Sequence, residues 1–233
     1  MDRFSRSKLI LKDDFEKIAK SSVLIFGIGG VGSYTAESLI RCGVGKIGLV
    51  DNDTVSESNI NRQLVALTST VGRKKVDVMR ERGLDINPDA EISAYPIFYG
   101  ADTESEINLS EYDLIIDAID TVSSKLLLIE NAKKAGIPII SAMGAGNKLS
   151  SGDFIITDIN KTNTCPLARV MRYELKKRGI KKLTVVYSPE APISPLKTDE
   201  ESTKRQTPGS LPYVVGTMGL RLADAAIQVL CNK

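Results

Sequence analysis

The chain predicts an α/β protein built on a doubly wound, Rossmann-like, mostly parallel sheet. Three observations carry that reading. Short apolar runs that read as buried strands alternate with longer segments of helical character. A glycine-rich turn, Gly27-Ile28-Gly29-Gly30-Val31-Gly32-Ser33, joins the first apolar run to the first helical segment. Asp51 closes the second apolar run, where a carboxylate can accept from ribose hydroxyls.

The elements can be taken in chain order. Ser21 to Phe26 is a buried strand, and Val31 to Cys42 a helix ended by Gly43 and Gly45. Lys46 to Val50 is the second strand, Lys74 to Ile86 a helix, and Glu91 to Ile97 an alternating strand. Leu114-Ile115-Ile116 is a short buried strand, followed by a helix from Ser123 to Ala135 and a strand over Ile137-Pro138-Ile139-Ile140. This alternation implies parallel pairing through crossover helices. Phe154-Ile155-Ile156 and Leu183 to Tyr187 read as further strands, with a basic helix between them from Leu167 to Arg178. The stretch 188–211 carries Pro189, Pro192, Pro195 and Pro208 without periodicity, so it is either disordered or a flexible crossover serving as a lid. The final helix, about Tyr213 to Leu230, lines up Val215, Met218, Leu222, Ala225 and Val229 on one face and Gly216, Gly219, Ala223 and Ala226 on another. Arg221 and Asp224 argue against a membrane span, and close packing on the sheet or on a second subunit is the preferred reading.

Composition bounds the function. A chain of 233 residues, 42% hydrophobic and 26% charged, suits one soluble domain over 1–233. A net charge of +2 does not announce nucleic-acid binding, so any such contact needs a local patch. The polar start, Met1 to Lys8, does not read as a signal peptide, and no apolar run has the length of a spanning helix. Three scattered cysteines, Cys42, Cys165 and Cys231, suggest reduced thiols in the cytoplasm and exclude a four-cysteine structural zinc site. With no histidine in the chain, every mechanism that needs an imidazole is excluded.

The glycine turn brings a backbone close to phosphate oxygens and aims a helix N-terminus at them. Gly27, Gly29, Gly30 and Gly32 with Asp51 and Asp53 would suit a dinucleotide dehydrogenase equally well. Residues further along the chain break that tie. Arg62 and Lys75 are cations for a triphosphate, the first a fork and the second a point charge. Ser58, Asn59, Asn61 and Gln63 stand beside them, a cluster that a dehydrogenase does not need. Asp117 and Asp120 come after the strand Leu114-Ile115-Ile116 at its C-terminal end. Asp117 serves there as a turn residue or as a ligand. Asp120 is the better candidate for holding Mg2+ against phosphate oxygens.

These blocks together resemble the ubiquitin-activating-enzyme-like (ThiF/MoeB/HesA) superfamily, which adenylates carboxylates. The match runs through Gly27 to Ser33, Asp51 with Asp53, Ser58-Asn59 with Arg62-Gln63, Gly72 with Lys75, and Asp117 with Asp120. The resemblance implies an E1-like fold with a C-terminal extension, ATP with Mg2+, ribose binding by Asp51 and phosphate binding by Asn59, Arg62 and Lys75. It also implies a homodimer in which Arg6 reaches the neighbour's nucleotide. Four further blocks, Ile116 to Asp120, Ala142 to Lys148, Cys165 to Arg169 and Tyr187 to Glu190, are similar to the subgroup that dehydrates N6-threonylcarbamoyladenosine in tRNA. The two C-x-x-C pairs of sulfur-carrier-activating members do not occur.

The resemblance implies ring closure of a tRNA nucleoside through an acyl-adenylate, with AMP and pyrophosphate released. It also implies a cysteine desulfurase system as a partner, an expectation that no residue of the chain carries. The other reading is adenylation of a ubiquitin-like sulfur carrier's C-terminus. Cys165 stands before a helix, where a thiolate is favoured, but internal cyclisation needs no thioester, so it reads as a packing or auxiliary residue. For tRNA the patch is Arg169, Arg172, Lys176, Lys177, Arg178, Lys181 and Lys182, joined by Lys204 and Arg205; a solvated helix face would look the same.

Overall fold

The computed structural model of the chain describes residues 2–194, 196 and 208–231. Lys204 and Arg205, with most of the second half of the proline-rich stretch, lie outside the described residues.

Seven strands make one sheet: β1 (Ser22–Phe26), β2 (Lys46–Val50), β3 (Glu91–Tyr95), β4 (Leu114–Asp117), β5 (Ile139–Ala142), β6 (Ile155–Asp158) and β7 (Thr184–Tyr187). Their spatial order is β3-β2-β1-β4-β5-β7-β6, and every neighbouring pair is parallel except β6 with β7. The seven α-helices are α1 (Ser5–Leu11), α2 (Asp14–Lys20), α3 (Gly32–Cys42), α4 (Lys75–Ile86), α5 (Val122–Lys134), α6 (Pro166–Lys177) and α7 (Pro212–Leu230). The mostly parallel, doubly wound sheet is the one the sequence predicts.

β1 is buried along its whole length, which is why it reads as an unbroken apolar run and not as an alternation. Its side chains divide between the two faces with period 2. Val23 and Ile25 join a core with Leu39, Met79 and Leu222, beneath α3, α4 and α7. Leu24 and Phe26 join the other core with Leu128, Met171 and Val185, beneath α5 and α6.

The small-residue face of α7 explains its close approach to α3. A Cβ added at Gly219 would lie 2.4 Å from the Val31 carbonyl oxygen, and one at Gly216 would lie 3.1 Å from the Tyr34 ring. Thr35 Oγ1 donates across the contact to the Gly219 carbonyl at 3.0 Å. The helix therefore packs on the protein's own layers. Among the described residues no helix is long and apolar enough to cross a membrane.

Two elements escape the sequence reading. α1 and α2 have seven residues each; α1 buries none of them and α2 only Phe15 and Ile18, so neither writes a readable apolar stripe. Boundaries move by a few residues elsewhere. β3 stops at Tyr95 and not Ile97, β5 starts at Ile139 and not Ile137, and α6 opens on Pro166, which fits a first helical turn.

Candidate functional site: a cleft at the switch point of the sheet

The strand order reverses between β1 and β4, and ligands of open α/β sheets enter beside the carboxyl ends of such strands. A cleft of about 740 Å³ opens there. Its floor is the glycine turn. Gly27 has φ +86°, and a Cβ there would lie 2.6 Å from the Ala118 carbonyl oxygen that follows β4. A Cβ on Gly32 would fall 1.8 Å from the Gly27 carbonyl oxygen, so α3 can begin only with glycine at this point. Gly29 differs from both. Beyond its own chain neighbours, the nearest described atom to its missing Cβ is Gln63 Nε2 at 3.9 Å, and Gly29 lines the cleft.

Asp51 stands at the end of β2 and accepts from the Ile28 N–H at 2.7 Å and the Asp53 N–H at 2.8 Å. Its carboxylate therefore braces the glycine turn as well as facing the cleft. Burial pushes the Asp51 carboxyl above the ordinary carboxylate range, against the opposing pull of Lys75. Lys75, the first residue of α4, is buried, and its Nζ lies 2.7 Å from Asp53 Oδ2. Asp53 also accepts the Lys75 backbone N–H at 3.1 Å, so this short loop aims both groups.

Arg62 reaches the cleft from the loop after β2. Its Nη1 donates to the Ser58 carbonyl and to Asn61 Oδ1, each at 2.9 Å, which leaves the rest of the fork for a ligand. Asn59 and Gln63 line the same wall. The buried Gln63 Oε1 has no hydrogen-bond partner among the described residues. Ser58 and Gly32 are not among the lining residues. Ser58 acts through its carbonyl on Arg62, and Gly32 acts through the fold. Arg6 stands exposed on α1 and is likewise absent from the lining.

The two aspartates after β4 have different fates. Asp117 is wholly buried, 2.9 Å from the equally buried Lys125 Nζ, and accepts from the Ser141 hydroxyl and the Ile119 N–H. It is a structural residue, which decides the alternative left open by the sequence. Asp120 is exposed and lines the cleft.

Sequence reasoning missed another wall. The loop Gly144 to Lys148, together with Cys165, Pro166 and Leu167 at the start of α6, lines the cleft along with Arg62 and Lys75. Lys148 is buried, with its ammonium donating to the Glu190 and Ser188 carbonyls; burial holds it below the usual lysine range. Asn147 accepts from the Gly209 N–H at 2.6 Å through its side chain and from the Ile193 N–H at 2.7 Å through its carbonyl. It thereby ties both described ends of the proline-rich stretch to this wall. The blocks Ala142 to Lys148, Cys165 to Arg169 and Tyr187 to Glu190 are the sequence signals for it. Cys165 is buried at the N-cap of α6, 3.6 Å from the position a Cβ on Gly144 would take.

The basic patch divides in two. Arg172 turns inward to the Thr162 carbonyl and hydroxyl, while Lys177 and Arg178 pair with Glu174, and Arg178 also with Glu130. Arg169, Lys176, Lys181 and Lys182 form no ion pair with any described residue.

A glycine turn, a carboxylate at the end of β2 and a triphosphate-sized cleft with two aimed cations define a nucleotide-binding α/β protein. The ThiF family model matches residues 2–233, and the chain belongs to the ThiF family. The chain is 47% identical over 195 residues to a tRNA threonylcarbamoyladenosine dehydratase of Bacillus subtilis, which covers 83% of this chain and 77% of that protein. Among solved structures, the Escherichia coli tRNA N6-threonylcarbamoyladenosine dehydratase TcdA in complex with AMP matches with a TM-score of 0.89 and 32% identity, covering 98% of this chain and 93% of that one. The same enzyme in complex with ATP matches with a TM-score of 0.88, at the same identity and coverage.

Proposed function

We propose that the chain is an ATP-consuming dehydratase of N6-threonylcarbamoyladenosine in tRNA. One observation carries the reading. A single cleft is lined by the glycine turn, Asp51, Arg62, Lys75 and Asp120 and also by Gly144 to Lys148 and Cys165. The first set of residues suits a nucleoside triphosphate, and the second borders the space this reading gives to the carboxylate that would attack it. The identity to the relatives with this named activity supports the same assignment.

In this reading the threonyl carboxylate attacks the α-phosphorus of ATP, and pyrophosphate leaves. Arg62 and Lys75 offset the charge that gathers on the departing oxygens. The acyl-adenylate is then attacked by the substrate's own carbamoyl group; AMP departs and the nucleoside has lost one water. Positioning and charge do this work, so the absence of histidine is no obstacle.

Among the described residues no cluster of three carboxylate or thiol groups could cage a metal ion. Mg2+ bound with ATP needs only one or two carboxylates, and the exposed Asp120 fits that role. There the ion would neutralise phosphate charge. The cytoplasm, a homodimer with Arg6 directed at the neighbour's nucleotide, and a cysteine desulfurase system as partner belong to the same proposal, through family resemblance. Cys165 is a wall residue in it, with no covalent step assigned.

The test is nucleoside mass spectrometry. Purified protein is incubated with ATP, Mg2+ and tRNA bearing the nucleoside, and the digest is searched for loss of one water. ATP-dependent loss is expected. No loss, from folded protein that binds ATP, would move the substrate to a ubiquitin-like carrier protein.

A further inference from the structure

A second cavity, of about 660 Å³, lies on α6 beyond the cleft. Its size falls within the range of small-ligand pockets. Arg169, Tyr173, Lys176 and Lys181 line it over an apolar base that includes Leu175 and Ile180. Ala168, Met171 and Leu175 bury the inner face of α6, which leaves Arg169, Tyr173 and Lys176 together on the outer one. Tyr173 is 61% exposed. One side of that ring is occupied, with Lys177 Nζ 4.2 Å from its centroid. Asn160 Nδ2 donates to the Lys181 carbonyl at 2.8 Å and fixes the loop carrying that cation.

We infer that this cavity is a second RNA subsite, which receives an unpaired nucleotide flanking the modified adenosine, stacked on Tyr173 with its phosphates on Arg169, Lys176 and Lys181. The inference rests on the proposed tRNA substrate. Three observations carry it. The three cations form no ion pair with any described residue, while their neighbours Lys177 and Arg178 are neutralised. An exposed aromatic among unpaired cations is the composition that binds single strands, where stacking accepts any base and the cations hold the backbone. The helix itself links the two sites. Pro166 and Leu167 line the cleft and Arg169 lines the cavity, with Tyr173 about 9 Å further along the axis than Leu167.

The experiment measures KM for tRNA, Kd for ATP and the salt dependence of tRNA binding in wild type, Tyr173→Ala, Tyr173→Phe and the triple variant Arg169→Gln, Lys176→Gln, Lys181→Gln. Tyr173→Ala should raise KM for tRNA about tenfold, while Tyr173→Phe, which keeps the stacking face, should stay near wild type. The triple variant should flatten the slope of log affinity against log salt by about two. An unchanged Kd for ATP shows that the variants are folded. A tRNA KM unmoved by Tyr173→Ala, an equal loss in both tyrosine variants, or an unchanged salt slope would overturn the subsite. Failure of the wild type to dehydrate the nucleoside in tRNA would overturn the function instead, so the two failures are distinct.

Discussion

Lys125 Nζ lies 2.9 Å from Asp117 Oδ2, and neither side chain has any exposed surface. The ammonium also donates to the Ala142 carbonyl at 2.9 Å and the Ile119 carbonyl at 3.1 Å. This pair joins α5 to the ends of β4 and β5, directly beneath the loop that presents Asp120. A buried pair is costly to halve because the survivor keeps an uncompensated charge. Lys125→Met should therefore lose about 3–5 kcal/mol in urea unfolding. Adding Asp117→Asn to it should recover part of that loss. Wild-type stability in the single variant would show that the pair does not hold the loop.

Lys75 is buried at the start of α4, but its partner Asp53 is largely exposed, so the pair itself contributes little stability. Its position favours a charge held ready for phosphate. Lys75→Ala should keep the protein folded and slow pyrophosphate release by a factor of about 100 or more. Lys75→Arg should not restore the rate, because a planar fork does not replace a compact ammonium in a closed site. Intact turnover in Lys75→Ala would remove Lys75 from the phosphate site.

Two glycines of one turn should separate folding from binding. At Gly29 an added methyl has no protein neighbour closer than the Gln63 Nε2 at 3.9 Å. Gly29→Ala should melt within about 0.5 kcal/mol of wild type, yet bind a non-hydrolysable ATP analogue at least tenfold (~1.4 kcal/mol) more weakly. At Gly32 the added methyl would overlap the Gly27 carbonyl, and Gly32→Ala should be strongly destabilised. Equal behaviour of the two variants in calorimetry and thermal melts would contradict this division.

Asp51 carries a pH signature. Burial raises its folded pKa above the usual 3.8, with the charge of Lys75 acting in the opposite sense. The folded protein thus holds this proton more tightly than the unfolded chain. The resulting stabilisation is complete below the unfolded pKa and is lost as pH rises through the folded one, so at neutral pH the ionised group costs stability. Asparagine keeps only one of the two acceptors that hold the Ile28 and Asp53 N–H groups, a loss that does not depend on pH, so in the absence of nucleotide the melting temperature of Asp51→Asn relative to wild type should improve from about pH 4 to about pH 7. ATP affinity should drop in the same variant. A difference between the two proteins that is constant across this pH range would show that the Asp51 carboxylate is not penalised by burial.

Much of the fold was legible because parallel strands buried on both faces leave unbroken apolar runs, as in Val23-Leu24-Ile25-Phe26. The antiparallel placement of β6 beside β7 was not, since pairing partners distant in the chain leave no local mark. The convergence of turn glycines, Asp51, Arg62 and Lys75 on one cleft was legible because they sit within a short span of chain. The Gly144 to Lys148 wall was not, because Asn147, Lys148 and Glu190 meet only after β5, β7 and the stretch beyond β7 have folded together.

The sequence by itself determined the kinds of groups available: a glycine turn suited to phosphate, a carboxylate at the end of the second strand, cations that could meet a triphosphate, and no imidazole. Those properties reside in residue types and short spacings. Only the tertiary structure decided which charges remain free to act. Asp117 and Asp120 are three positions apart and chemically alike, yet one is neutralised by Lys125 in the core and the other faces the cleft. Arg169 and Arg178 stand on one basic helix and its cap, yet only the first is unpaired among the described residues. A charge's role depends on the partners and solvent around it, and for these residues long-range packing supplies both.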